Sequence, residues 1–153
     1  HDRLADMGGA LVVRALADAQ AGKLQPRKQP EAGITYAHKI EKAEAAVDWL
    51  QSADAISRRV RAFNPFPAAS AQLGADVIKL WRASVENTAH QKPAGTVISA
   101  DEHGVRVACG QGVLCVTELQ RAGGKRLNTA EFLRGFPLVA GQCFEPHIAH
   151  KTS

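Results

Sequence analysis

The side chains of this sequence that could do chemistry are mainly basic. Arg58 and Arg61 stand three positions apart, and a further pair of basic residues directly follows Gly123 and Gly124. Lysine and arginine can each neutralise a phosphate, and glycines let a loop approach a polynucleotide backbone closely. The pattern therefore predicts contacts to the sugar-phosphate backbone of a structured RNA. The predicted RNA-binding residues are Lys39, Lys42, Arg58, Arg61, Lys125 and Arg126.

The positive charge is concentrated in two segments of the chain. The 153 residues carry a net charge of +4. Residues 23–63 hold eight basic and five acidic side chains, and residues 119–153 hold five and two, so each segment has a net charge of +3. Residues 1–22 and 64–118 each have a net charge of −1. An acidic partner such as nucleic acid would explain this distribution, although solvated lysines and arginines near loops would explain the charge alone equally well.

Other kinds of chemistry have little support in the sequence. No Ser, His and Asp occur in a hydrolase pattern, no glycine-rich phosphate loop follows a predicted strand, and no pair of carboxylates stands out. His147 and His150 have a spacing that suits a metal ion, but no third ligand lies near them in the sequence. We therefore expect neither catalytic residues nor a metal site in this chain.

The cysteines and the hydropathy pattern bear on the location of the protein. The three cysteines are an odd number and form no CxxC pair, which favours free thiols in a reducing, cytoplasmic environment. Cys109 and Cys115 are predicted to lie about 7–8 Å apart on one face of a hairpin, which is too far for a disulfide. No apolar run approaches the roughly 18 residues of a membrane helix, so we expect no membrane contact.

Aromatic side chains are scarce, which affects the mode of RNA binding that we expect. They make up 5% of the chain, and Trp49, Phe63 and Phe66 are predicted to pack in the core or at the end of a helix. A stacking platform for single-stranded bases is therefore poorly supplied. Contacts to the phosphates of a structured RNA fit the composition better.

One predicted helix positions the central pair of arginines. Ser52 is a favourable N-cap residue for a helix over residues 53–63. Arg58 and Arg61 project from the face opposite the apolar stripe of this helix. The helix ends at Asn64, because the residue before a proline avoids the α conformation. The predicted apolar stripe consists of Ile56, Val60 and Phe63.

The composition divides the chain into four parts. Residues 1–22 are predicted to form one amphipathic helix, and residues 23–45 a basic linker that contains two prolines. Residues 46–145 form the main domain, and residues 146–153 a flexible tail. A single amphipathic helix needs a partner that covers its apolar stripe. We therefore expect the first helix to belong to a domain that precedes this chain.

The main domain is predicted to consist mostly of strands. After Pro67 the period of the apolar residues changes from 3.6 to 2, and Gly110–Gly112 is suited to a tight hairpin. A short helix over residues 130–134 begins after Asn128 or Thr129, and residues 141–144 return as an edge strand. The predicted fold class is mainly β with helices, a small antiparallel barrel preceded by the N-terminal helix and linker. The predicted strands span residues 77–85, 95–100, 105–109 and 113–119.

Six motifs of this sequence occur together in one order. The most specific ones are Arg-Ala-Phe-Asn-Pro at residues 61–65 and Leu-Gln with a following Gly-Lys-Arg loop at residues 119–126. The six motifs lie at residues 34–40, 47–49, 61–67, 77–83, 94–97 and 119–127. On these motifs, residues 1 to about 145 closely resemble the C-terminal part of the bacterial methionyl-tRNA formyltransferases.

The resemblance implies a role in translation initiation. Enzymes of that family transfer a formyl group from 10-formyltetrahydrofolate to the methionine amino group of initiator tRNA. Their catalytic Asn, His and Asp lie in an N-terminal domain whose motifs this sequence lacks, so we expect the chain to be inactive alone and to bind no cofactor. Its main domain would be a barrel akin to the oligonucleotide-binding (OB) fold, which holds the tRNA. Lys39 and Lys42 correspond to basic linker positions of the family.

The resemblance also implies partners and leaves an alternative. The expected partners are initiator tRNA and the protein's own N-terminal catalytic domain, and the expected state is a cytoplasmic monomer. The same type of C-terminal domain follows formyltransferase domains that act on sugar nucleotides or hydrolyse folate, where it would be structural. The basic linker and the Gly-Lys-Arg loop favour the tRNA interpretation. A free-standing RNA-binding protein is disfavoured, because the first helix would then lack a partner.

Overall fold

The computed structural model describes residues 2–146, which form two units divided between His38 and Lys39. The first unit contains helix α1, Asp2–Gln20, none of whose residues is buried. Gly22 follows it with a φ of 66°, a left-handed conformation that glycine adopts readily at the end of a helix. The predicted domain boundaries at residues 22, 45 and 145 remain predictions. The predicted tail lies outside the described residues from position 147 onward.

The second unit contains all of the described strands and the helices other than α1. It begins with a short 3-10 helix, Lys42–Ala45, which is followed by helix α2, Ala53–Ala62. Helix α3, Thr129–Gly135, lies near the end of the unit. None of the helices within residues 2–146 is both long and apolar enough to span a membrane. The strands are β1 Ala69–Leu73, β2 Asp76–Glu86, β3 Val97–Asp101, β4 Gly104–Ala108, β5 Val113–Arg121 and β6 Leu127–Asn128.

The six strands form one antiparallel sheet. Its order is β1-β2-β5-β4-β3, and β6 pairs with the end of β5. The β4–β5 hairpin lies where the sequence predicted a turn, and β3 and β4 form a second hairpin. The strand β1 was not predicted, because its sequence Ala-Ser-Ala-Gln-Leu contains no β-branched or aromatic residue. The predicted class, mainly β with helices, is confirmed.

Residues 141–145 join the two edges of this sheet. Gly141 N–H donates to the Val97 carbonyl at 2.9 Å, on the edge strand β3. Glu145 N–H donates to the Gln72 carbonyl at 2.8 Å, on the opposite edge strand β1. The segment therefore satisfies backbone groups of both edges and gives the sheet a barrel-like closure. It contains one isolated bridge, between Thr96 and Cys143, in place of the predicted edge strand.

The core lies inside this curved sheet, and aromatic residues anchor it. Trp49 is 1% exposed and stacks on Phe144 with ring centroids 5.3 Å apart. Phe63 is also buried, as the sequence predicted. Phe66 is different, because it is 65% exposed, and the prediction that it packs is wrong. The two prolines beside Phe66 direct the chain around a surface turn before β1 begins.

Helix α2 is fixed against the sheet at its first turn and along one face. Ser52 Oγ accepts a hydrogen bond from Ala55 N–H at 3.3 Å, which confirms the predicted N-cap. Ala53 N–H donates to the Gln111 carbonyl at 2.9 Å in the β4–β5 turn. Ile56 and Val60 are each 1% exposed, and full burial of such a side chain contributes about 1.5–3 kcal/mol. The opposite face of α2 consequently points toward solvent.

Candidate nucleic-acid interface

The exposed face of α2 carries the two arginines that the sequence selected. Arg58 and Arg61 are both exposed. Arg61 Nη1 donates to Ser57 Oγ at 2.9 Å, one turn earlier on the same helix. Within the described part of the chain, the Arg58 guanidinium makes no hydrogen bond or ion pair. Neither guanidinium has a carboxylate partner among the described residues, so their charges are available to a ligand.

Arg59, which the sequence analysis did not select, attaches the 3-10 helix to α2. Its guanidinium donates from Nε and Nη2 to the Glu44 carbonyl at 3.1 and 2.8 Å. Its Cζ atom also lies 5.5 Å from the centroid of the Phe63 ring. Lys42 is the first residue of the 3-10 helix that this attachment joins to α2. The only sequence signal for Arg59 is its spacing of four positions from Phe63, which predicts that the two side chains are neighbours on α2.

We call the exposed surface of Lys42, Arg58 and Arg61 the basic face. Lys39 is exposed and precedes the basic face in the chain. The 3-10 helix is further stabilised where Glu41 N–H donates to Glu44 Oε1 at 2.7 Å. Cations that fixed elements display together can contact successive phosphates of a polynucleotide. The three cations of the basic face are exposed on two elements that Arg59 joins.

The other predicted basic pair occupies the turn between β5 and β6. Gly123 has a φ of 75°, and Gly124 N–H donates to the Arg121 carbonyl at 2.9 Å. Lys125 is exposed and has no ion pair among the described residues. Arg126 is bonded to the carboxylate of Glu118. The two members of the pair are therefore electrostatically different, although they are adjacent in sequence.

Glu118 also neutralises a second arginine and borders an aromatic ring. Arg82 Nε lies 3.2 Å from Glu118 Oε1. Arg126 Cζ lies 5.0 Å from the centroid of the Trp81 ring, and Lys79 Nζ lies 6.0 Å from it. Trp81 is half-buried, and the sequence analysis did not select it as an interface residue. We call this group the Trp81 cluster, which consists of Lys79, Trp81, Arg82, Glu118 and Arg126.

The side chain of Asn64 connects the end of α2 to this cluster. Asn64 Nδ2 donates to the Trp81 carbonyl at 3.2 Å. The Trp81 ring is oriented by its own Nε1, which donates to Gln120 Oε1 at 2.9 Å. The structure therefore brings α2 and the β2–β5 surface next to each other at Asn64.

The thiols offer no reactive nucleophile in the barrel core. All three cysteines are free, and Cys109 and Cys115 are buried. Burial raises the pKa of Cys109 to about 11 and also raises the pKa of Cys115. Both thiols are protonated at neutral pH and are poor nucleophiles. No cluster of three or more His, Cys, Asp or Glu suited to a metal ion occurs among residues 2–146, and His147 and His150 lie outside that range.

Comparison with known proteins identifies relatives of the chain. Residues 39–137 match the family model described as formyl transferase, C-terminal domain. The methionyl-tRNA formyltransferase of Acidovorax ebreus is 55% identical over 144 residues, which cover 92% of this chain and 45% of that protein. The enzyme of the same name from Delftia acidovorans is 56% identical, covering 92% and 44%. The chain thus spans less than half the length of these relatives.

Solved structures show the same relationship at greater distance. A variant of HypX from Aquifex aeolicus superposes with a TM-score of 0.61 at 26% identity, over 82% of this chain and 22% of HypX. HypX in complex with tetrahydrofolic acid gives a TM-score of 0.59, also at 26% identity, over 80% and 22%. The family match spans most of the second unit, and the resemblance to the C-terminal part of methionyl-tRNA formyltransferases is confirmed. This chain belongs to the formyl transferase C-terminal domain family.

Proposed function

We propose that this chain is the tRNA-binding C-terminal part of a methionyl-tRNA formyltransferase. The whole enzyme would formylate the methionine of initiator tRNA, with 10-formyltetrahydrofolate as the donor, during translation initiation in the cytoplasm. The observation that carries the proposal is the basic face, whose cations have no carboxylate partner among the described residues. Its occurrence in a chain 55% identical to a relative of that name supports tRNA as the ligand.

Each proposed contact follows from the placement of a side chain. Arg58 and Arg61 would bind phosphates from the exposed side of α2, and Lys42 would bind a neighbouring phosphate from the 3-10 helix. Lys39 and Lys125 are exposed and would add contacts at the edges of the interface. Arg126 would contribute less, because a phosphate must compete with Glu118 for its guanidinium. These contacts position a polynucleotide without reading its bases.

The chemistry itself would be supplied from outside this chain. The formyl donor and the catalytic Asn, His and Asp are assigned to the N-terminal domain, which would be the second partner of this chain. The proposed division leaves the C-terminal part with one task, which is to hold the tRNA beside the catalytic domain. We propose that the enzyme is a monomer, so that each molecule holds one tRNA.

The alternative is a structural C-terminal domain in a related formyltransferase whose substrate is not a tRNA. The similarity to HypX favours it, because HypX carries a domain of this shape and its complex contains tetrahydrofolic acid. A structural role does not require unpaired cations on one face. The basic face therefore supports the tRNA proposal over this alternative.

Charge reversal in the full-length enzyme tests the proposal. Lys39, Lys42, Arg58 and Arg61 are changed together to Glu, and steady-state kinetics are measured with initiator tRNA and with the folate donor. We expect the KM for tRNA to rise at least about tenfold while folate binding is unchanged, because each change removes a phosphate contact. An unchanged KM for tRNA would favour the structural alternative.

A further inference from the structure

The turn between α2 and β1 displays an aromatic ring to solvent. We call residues 64–67 the proline turn, after Pro65 and Pro67. Phe66 between them is 65% exposed, whereas Phe63 just before the turn is 7% exposed. A large ring left outside the core loses the favourable free energy of burial. The exposure of Phe66 is therefore the feature of the proline turn that most requires a functional explanation.

The proline turn is anchored on both sides. Asn64 Nδ2 is bonded to the Trp81 carbonyl, and Ala68 N–H donates to the Phe63 carbonyl at 2.9 Å. The pyrrolidine rings fix φ of both prolines. Ala68 is 2% exposed and has a φ of 68°, a left-handed conformation that alanine adopts only under constraint. The backbone beside Phe66 is thus held in one shape, which lowers the entropic cost of binding to its ring.

The surroundings of the proline turn are basic and polar. Arg61 is exposed in the last turn of α2, directly before it. Through Asn64 the turn also adjoins the Trp81 cluster, where Lys79 and Arg126 approach the Trp81 ring. An exposed ring in a turn whose neighbouring elements carry cations suits a nucleobase, whose own phosphates need those cations. A protein-binding patch would instead be expected to place further apolar side chains around the ring.

We propose that Phe66 is a stacking site for an unpaired base of the bound nucleic acid, whose adjoining phosphates contact Arg61 and the basic face. This inference rests on the proposed function and deepens it, because it assigns a single-stranded nucleotide to one residue. It also revises the expectation that the chain contacts only the backbone of its RNA. Stacking is tolerant of base identity, since every base has a π face.

Two RNA hairpins with the same stem serve as probes for this chain. One hairpin ends in four unpaired nucleotides at its 3′ end, and the other is blunt. We expect the wild-type chain to prefer the extended hairpin about tenfold, and Phe66→Ala to lose that preference. Phe66→Trp should keep it. Val139→Ala is the matched control, because Val139 is an exposed apolar residue at 58% in another loop of the same unit.

Two further measurements distinguish stacking from phosphate contacts: the salt dependence of RNA binding and the NMR shifts of the Phe66 ring protons. Phe66→Ala removes no charge, so the slope of log affinity against log salt should equal that of the wild type. The ring protons of Phe66 should shift upfield in NMR spectra when the extended hairpin is added. A Phe66→Ala chain that still prefers the extended hairpin would overturn the stacking proposal and leave the phosphate proposal intact.

Other outcomes are equally decisive. Equal weakening of both hairpins by Phe66→Ala would mean that the ring only shapes the surface, which contradicts stacking. Unchanged RNA binding together with a loss of concentration-dependent self-association would assign Phe66 to a protein contact and overturn the proposal. The double variant Arg58→Gln with Arg61→Gln tests the proposed function. If it leaves the affinity for both hairpins unchanged, the proposed function is wrong, and so is the stacking proposal that rests on it.

Discussion

The basic face and the Trp81 cluster both display arginines, but they differ in what surrounds those arginines. On α2, Arg58 and Arg61 have no carboxylate partner among the described residues, whereas in the cluster Arg82 and Arg126 share Glu118. An unpaired surface cation can accept a phosphate at the cost of releasing only small counterions. A paired one must first give up its carboxylate. The comparison shows that arginines on one surface can differ in whether their charge is available to a ligand, and under the proposed function this availability would distinguish the interface from the polar surface.

The pairing in the cluster also has a modest structural value. The side chains of Arg82 and Arg126 are 71% and 42% exposed, so solvent screens their ion pairs with Glu118. Exposed pairs of this kind contribute roughly 0–1 kcal/mol to stability. Arg126 additionally contacts the Trp81 ring, and a cation over an exposed aromatic ring contributes about 0.5–1 kcal/mol. The cluster is consequently better suited to order the β2–β5 surface than to bind phosphate.

The largest expected effect comes from reversing the charge of the basic face. Arg58→Glu with Arg61→Glu should lower the affinity for initiator tRNA at least about tenfold at low salt, because two phosphate contacts become repulsive. The change is measured by filter binding or fluorescence anisotropy. The control is Lys92→Glu with Arg134→Glu, which makes the same change in net charge at exposed positions away from α2. Equal losses in both variants would show that net charge alone governs binding.

Removal of Arg59 should destabilise the support of the basic face. Arg59→Ala deletes two hydrogen bonds to the Glu44 carbonyl and the contact with Phe63. We expect a loss of about 1 kcal/mol in the free energy of unfolding, measured with urea. Arg58→Ala serves as control and should change stability by less than about 0.5 kcal/mol. If both variants are equally stable, Arg59 does not hold the 3-10 helix.

Neutralising Glu118 should make the Trp81 cluster more like the basic face, because its arginines would then also lack a carboxylate partner. Glu118→Gln leaves Arg82 and Arg126 without their carboxylate and should raise the affinity for tRNA about threefold at low salt, since phosphate no longer competes with Glu118. Glu102→Gln removes an equal charge from the exposed β3–β4 turn and is the control. An unchanged affinity in Glu118→Gln, or an equal gain in both variants, would contradict the role given to Glu118.

The sequence predicted the elements of the candidate interface that depend on local pattern. The limits of α2, its Ser52 cap and its buried stripe follow from helical spacing and from the proline stop. The pairing of Glu118 with Arg82 depends instead on strand register, which an irregularity between Leu80 and Ala83 shifts. The spacing of apolar residues along the sequence does not indicate this shift in strand register. The pairing of Arg82 with Glu118 therefore could not be predicted from the residues around Arg82.

The exposure of Phe66 was missed for a related reason. Hydrophobicity alone assigns a phenylalanine to the core, yet the two flanking prolines determine where its ring points. The strands β1 and β6 were missed because one has a weak strand sequence and the other has only two residues. Sequence pattern thus predicted the elements with strong periodicity, and tertiary hydrogen bonds determined the rest.

The smallest effect concerns a carboxylate that serves the fold alone. Asp101 Oδ1 accepts hydrogen bonds from the backbone N–H of His103 and of Gly104, and these bonds together with Arg106 hold the pKa of Asp101 below its usual value. The charged form is therefore favoured in the folded state. Its small stabilisation should be present at neutral pH and should disappear as the pH falls below the lowered pKa.

Asp101→Asn tests this pH dependence against the wild type. Urea unfolding at pH 7 should show the variant slightly less stable, and the difference should vanish well below the usual aspartate pKa of about 3.9. Affinity for tRNA at neutral pH should not change, because Asp101 belongs to neither the basic face nor the Trp81 cluster. A difference in stability that persists in strong acid would exclude the charge as its cause.

The salt dependence of tRNA binding tests the central contrast most directly. Arg58→Gln with Arg61→Gln and Arg82→Gln with Arg126→Gln each remove two positive charges, and the slope of log affinity against log salt is compared with that of the wild type. The slope should become less steep by about two units in the first variant, because two phosphate contacts are lost, and by less than about one unit in the second, because Glu118 competes with phosphate for Arg126. Equal changes in both variants, or a change confined to the second, would contradict the assignment of RNA binding to the basic face.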